Sequence, residues 1–157
     1  MRIEVAEQEG TKGILVRIVS APGDPRVPGI ISALQLAEGS IFGYGSRTGT
    51  AKRRVPLAQI AWMEAADDDT GLHLADGSTL VAARRLQALE TVLEGTQFVR
   101  ASRQAIVNLD RVSAIRPEFG SRLVLTLEGG DEVLVTRSHV REIKERIGMI
   151  PKDGREP

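Results

Sequence analysis

The run from Phe98 to Leu109, reading Phe-Val-Arg-Ala-Ser-Arg-Gln-Ala-Ile-Val-Asn-Leu, constrains this chain more than any other stretch. It sets a polar cluster with two arginines between an aromatic anchor and an apolar, strand-like run. The cluster is too polar for a core strand, and its flanks are too apolar for a linker. It reads as a charged loop held rigidly at both ends, as a recognition loop must be held. Arg103 is the foremost candidate contact residue within it.

Short strands and tight turns dominate the rest of the pattern. Ile14 to Val19 is rich in β-branched residues and predicts a strand. Ala21 to Pro28 carries three prolines and one glycine and predicts a loop. Val27, Ile30, Ile31 and Leu34 fall at helical spacing, which predicts a short helix from Pro28 to Ala37 with Gly39 as its stop. Ile41 to Gly45 can form a strand, and Ser46 to Lys52 a turn. Ile60 to Ala65 is strand-like and runs into an acidic loop, Asp67-Asp68-Asp69-Thr70-Gly71. Asp76-Gly77 between Leu72/Leu74 and Leu80/Ala82 predicts a hairpin, since both turn residues tolerate positive φ. Leu86, Leu89 and Leu93 predict a helix over Arg84–Glu94, stopped by Gly95 and lacking an N-cap residue. Ile106–Leu109 and Val112–Ile115 predict short strands joined by a bend at Asp110. Leu123–Leu127 and Val133–Val135 predict a second hairpin across Gly129-Gly130. Ser138 is expected to cap a last helix whose Val140, Ile143 and Ile147 make one apolar stripe. Lys152 to Pro157 is expected to be a loose tail.

Several classes of function find no support in the composition. With no cysteine there is no thiol catalysis and no thiolate metal site, and with only His73 and His139 metal chemistry is poorly supplied. No metal and no cofactor are expected. No apolar run approaches a membrane span, and the N-terminus lacks a signal-peptide layout, so a cytoplasmic location is expected. An enzyme would have to use Ser102, or Ser138 with His139, as nucleophile and base. Adjacent side chains at a helix start do not face each other, and no Gly-x-Ser-x-Gly surrounds either serine, so no enzyme is expected. Lysine plus arginine and aspartate plus glutamate both number 21, giving zero net charge. Any nucleic-acid binding must then come from a local basic face.

The order from about Val55 to Gly148 resembles the LytTR family of bacterial DNA-binding domains. Ile60-Ala61-Trp62-Met63-Glu64 matches its opening strand, and Phe98-x-Arg100 with Ile106-Val107-Asn108 matches its central signature. Thr136-Arg137 stands where the family has Ser-Arg. The first fifty residues resemble the short extension of small stand-alone LytTR regulators that lack a receiver domain. The resemblance implies a mainly β (α+β) fold, an elongated antiparallel β domain with peripheral helices. It implies a strand-helix extension over 1–50, a DNA-binding domain over 51–149 and a tail over 150–157. The chain departs from the family at Ser102-Arg103-Gln104, where His-Arg-Ser is common, and at Ala105, where Tyr or Thr is usual.

The function implied is sequence-specific binding of double-stranded DNA by a small transcription regulator that inserts loops into major grooves. Arg103 can bond guanine O6 and N7, Gln104 can read adenine or hold a phosphate, and Ser102 adds a hydroxyl. Arg137, beside the last helix's N-terminus, and Ser138 suit a phosphate. Arg122 and Thr70 are further contact candidates. Arg100 is expected to brace the loop by pairing with a carboxylate, and Asn108 to bond backbone at a strand bend. Trp62 and Phe98 are expected as core anchors. The extension is expected to pack on a second subunit, as a homodimer, or to cap the domain intramolecularly. A membrane-protein partner follows from the resemblance alone. The competing reading is a LytTR-fold protein-interaction module without DNA affinity.

Overall fold

The computed structural model of the protein describes residues 1–10, 15–37, 39–45 and 51–149. Seven strands form one antiparallel sheet: β1 (Ser40–Tyr44), β2 (Lys52–Pro56), β3 (Ile60–Ala66), β4 (Asp69–Leu74), β5 (Thr79–Ala82), β6 (Phe98–Ser102) and β7 (Ala105–Asn108). Their spatial order is β2-β1-β5-β4-β3-β7-β6. A smaller sheet of β8 (Val112–Glu118), β9 (Arg122–Leu127) and β10 (Glu132–Val135) runs in the order β10-β9-β8. The helices are α1 (Val27–Ala37), α2 (Leu86–Val92) and α3 (Arg137–Arg146).

Two cores lie on the two faces of the larger sheet, and strand periodicity divides the residues between them. Along β6 and β7, Phe98 and Ile106 enter one core while Val99, Ala105 and Val107 enter the other. This explains why Ala105-Ile106-Val107 is a continuous apolar run: both of its faces are covered. The first core also takes Ile60, Met63 and Leu72 from the sheet and Leu86, Leu89 and Leu93 from α2. The second takes Leu123, Leu125, Val133 and Val135 from the smaller sheet and Ile143 from α3. Ile60, Met63, Leu72 and Leu89 have no exposed surface. Truncating a side chain so placed costs about 2–5 kcal/mol.

Asn108 is fully buried at the end of β7. Its Nδ2 donates to the Ile60 carbonyl at 2.9 Å, and its Oδ1 accepts from the Asp110 amide at 3.0 Å. The expected bend is therefore a single 3-10 turn over Leu109–Arg111 that begins on this side chain. Gly43 allows close approach within β1, since a Cβ there would stand 3.0 Å from that of Leu80.

Some expectations are corrected. Residues 15–20 form no strand and stay exposed, apart from half-buried Ile18; Ile14 lies outside the described residues, as does the tail over 150–157. An isolated strand leaves its backbone groups unpaired, and among the described residues no strand pairs with residues 15–20. The second helix is shorter than Arg84–Glu94; Arg85 holds its N-cap position with no side-chain cap bond. The acidic loop is a two-residue turn at Asp67 and Asp68, and Asp69 onward belongs to β4. The strand β2 carried no pattern beyond Val55, its one buried residue.

Candidate nucleic-acid interface

Strand register gathers three turns and the starts of two helices at one end of the scaffold. The β3–β4 turn follows the pair Ala66 and Asp69, and the β6–β7 turn follows the pair Ser102 and Ala105. Because Glu64 pairs with Ala105, these two turns are neighbours, and the Ala65 amide donates to the Gln104 carbonyl at 2.8 Å. Thr70 pairs with Ala82, which brings Arg84 and Arg85 to the same end; Arg85 meets Asp68 at 2.5 Å. The β8–β9 turn follows the pair Glu118 and Arg122, and Leu123 pairs with Val135. The chain then enters α3 at Thr136, whose amide donates to the Ala101 carbonyl at 3.0 Å. Arg103, Arg122 and Arg137 thus share one end.

Arg103 and Gln104 are the two exposed residues at the tip of the β6–β7 hairpin. The loop read from sequence is therefore this turn, with Ser102 and Ala105 already in the flanking strands. A register shift between Arg100 and Ser102 leaves Ala101 as the extra residue of β6. Such bulges re-aim a strand end, here the tip that carries Arg103. Ser102 Oγ accepts from the Gln104 amide at 3.2 Å, which closes the turn.

Arg100 braces this tip, as expected. Its Nε donates to the Ser102 carbonyl at 2.6 Å, and its Nη2 to the Arg103 carbonyl at 2.7 Å. Its Nη1 meets Glu90 of α2 at 3.0 Å. The Arg100 side chain is largely buried, and these charge-assisted bonds hold the turn against α2. Phe98 sits in the first core at the base of β6, as expected of an anchor.

Arg137 is the first residue of α3, and the first turn of that helix contains no acid. A cation there opposes the helix dipole, so Arg137 is not placed to stabilise the helix. The combined field of guanidinium and free N–H groups suits an anion. Ser138 does not cap the helix, contrary to expectation. Thr136 takes the N-cap position because the backbone bond to β6 holds it extended, and its Oγ1 donates to Ala101 rather than to the helix. Ser138 remains exposed one residue inside.

Two other expected roles change. Thr70 has no exposed surface, and its hydroxyl donates to the Arg84 carbonyl at 2.6 Å. It fixes the backbone before Arg85 and cannot reach a ligand. Trp62 is half-buried rather than a core anchor: it stacks on His73 with ring centroids 3.9 Å apart, and its Nε1 donates to Asp131 at 3.2 Å. The bulge between Ile60 and Trp62 turns the ring toward the edge of the second core. Arg122 donates its Nε to the Phe119 carbonyl at 2.8 Å.

Among the described residues, Arg84, Arg103, Arg122 and Arg137 form no ion pair, whereas Arg85, Arg100 and Arg116 do. Sequence reasoning missed two residues of this end. Arg84 arrives through the β4–β5 pairing, which leaves no local trace. Phe119 stands 86% exposed at the β8–β9 tip; an aromatic beside Gly120 between two strands was the available signal.

The molecule is a mostly antiparallel β domain that presents the β3–β4, β6–β7 and β8–β9 turns, with Arg103, Arg122 and Arg137, at one end. The chain belongs to the LytTr DNA-binding domain family, which it matches over residues 51–148. It is 36% identical over 64 residues to the sensory transduction protein LytT of Enterococcus faecalis, covering 41% of this chain and 26% of that protein. It is 28% identical over 102 residues to the LytT protein of Bacillus cereus, covering 60% of this chain and 42% of that one. The chain spans less than half the length of these curated relatives. A solved LytTr DNA-binding domain from Bacillus cereus superposes with a TM-score of 0.61 and 25% identity, covering 70% of this chain and 97% of that one. No helix among the described residues is long and apolar enough to cross a membrane.

Proposed function

We propose that this chain binds double-stranded DNA sequence-specifically as a transcription regulator, inserting turns rather than a helix into successive major grooves. Arg103 reads guanine through two parallel hydrogen bonds, and Gln104 reads adenine or holds a neighbouring phosphate. Arg137 and Ser138 at the start of α3, and Arg122 at the start of β9, neutralise phosphates. Arg100 positions this set without touching DNA, and Asn108 supports the fold at the opposite end. The observation that carries the reading is the gathering of Arg103, Arg122 and Arg137 at one end without carboxylate partners. The family membership and the 36% identical LytT relative support it.

A homodimer would match two half-sites by its own symmetry. Strand β1 lies inside the larger sheet, between β2 and β5, so only the exposed parts of residues 1–50 are available for a partner subunit. A cytoplasmic location and a membrane-protein partner rest on the family resemblance.

A protein-interaction role without DNA affinity has one observation in its favour: Asp67 and Asp68 stand at the same end as the arginines. Selection of bound duplexes from a random pool, followed by affinity measurement over a salt series, separates the two. DNA binding predicts an enriched motif and an affinity that falls log-linearly with salt, with a slope of about −0.9 per neutralised phosphate. No enriched motif and a flat salt response would overturn the DNA-binding reading and leave the protein-interaction role.

A further inference from the structure

An open cleft of ≈ 470 Å³ lies between α1, the strands β1, β2 and β5, and α2. It falls within the size range of small-molecule sites, roughly 300–1,000 Å³. Its lining includes Ile41 and Leu89, both buried in the first core, together with Phe42. Lys52 and Arg84 line it as well, with Tyr44 between the strands. Among the described residues, no carboxylate belongs to the lining, and neither cation forms an ion pair or side-chain hydrogen bond. The Arg84 backbone is pinned by the Thr70 hydroxyl, so the cation projects from a fixed point.

An apolar wall beside two uncompensated cations matches one ligand chemistry. We propose that this cleft binds a small amphipathic anion, whose apolar body lies along Ile31 and Phe42 and whose single anionic head meets Lys52 and Arg84. A neutral apolar molecule would leave both cations without a partner, and a cationic one would be repelled. Binding here is independent of whether the chain recognises DNA, so the two proposals stand or fall separately.

Calorimetric titration of the full chain with decanoate tests this, using decanol and decyltrimethylammonium as neutral and cationic counterparts. Decanoate is expected to bind saturably, one molecule per chain, and more tightly than either counterpart. The double variant Lys52→Ala/Arg84→Ala is expected to weaken binding roughly tenfold. Ala83→Trp, which places a ring in the cleft from an exposed lining position, is expected to abolish it. Arg53→Ala, a neighbouring exposed cation outside the lining, serves as the control and should bind as the parent does. Melting curves confirm that each variant is folded. No saturable decanoate binding, equal binding of decanol, or unchanged binding by the double variant each overturns the proposal.

Discussion

Arg103 and Arg111 occupy turns at opposite ends of the same β scaffold, and their surroundings differ in kind. Arg111 is consumed by the fold: its Nε donates to the Ala58 carbonyl at 2.8 Å, and its Nη1 meets Glu128 at 2.9 Å. Around it, Asn108 bonds Ile60, and the Glu128 amide donates to the Arg111 carbonyl, so that end stitches the two sheets together. Arg103 has no such partner among the described residues; instead, Arg100 spends its donors holding the turn that presents it. One end of the molecule uses guanidinium groups as internal fasteners. The other uses Arg100 to immobilise its backbone and leaves Arg103, Arg122 and Arg137 without ion pairs among the described residues. Unpaired donors on a rigid turn are what a ligand can use without first breaking a protein contact.

The contrast can be broken most forcefully at the stitched end. Asn108→Ala strips partners from a buried carbonyl and a turn amide, and should lower unfolding free energy by about 2–3 kcal/mol in urea denaturation. The folded fraction should keep its DNA affinity. At the free end the effects should reverse. Arg103→Ala should leave the denaturation midpoint in place, yet weaken binding to the selected duplex by roughly 1–3 kcal/mol and relax preference at one base position. Arg137→Ala should weaken all duplexes alike and reduce the salt slope by about one unit. The mildest change is Arg111→Ala, whose half-exposed ion pair contributes about 0.5–1 kcal/mol to stability and nothing to binding. A binding defect in Arg111→Ala as large as that in Arg103→Ala would dissolve the distinction between the ends.

Much of the fold is legible locally. Both glycine-bearing hairpins, the α1 stripe and the apolar face of α3 follow from periodicity and turn chemistry, which need only neighbours in sequence. The failures share one cause. Ile14 to Val19 has strand composition, but a strand exists only when another edge receives it, and residues 15–20 have none. Ser138 has the better cap chemistry, yet Thr136 takes the position because Ala101, 35 residues earlier, holds its backbone. Thr70 lies beside an acidic turn that looks wholly exposed, but its pairing with Ala82 buries it under Arg84.

The candidate site divides the same way. Phe98, Arg100, Arg103 and Asn108 all lie on one hairpin, so their neighbourhood is a matter of local sequence: Phe98 enters the core, Arg100 bonds the turn and Asn108 bonds backbone. That Arg122 and Arg137 stand at the same end as Arg103 could not be read from spacing.

By itself, then, the sequence determined the alternation that covers both faces of the larger sheet, the positions of its turns, and the residues able to bond a base or a phosphate. Each of these is a property of a few consecutive side chains. The tertiary structure alone decided which turns share an end and which arginines keep their charge unspent. Both depend on strand register, which is fixed by contacts between segments far apart in the chain.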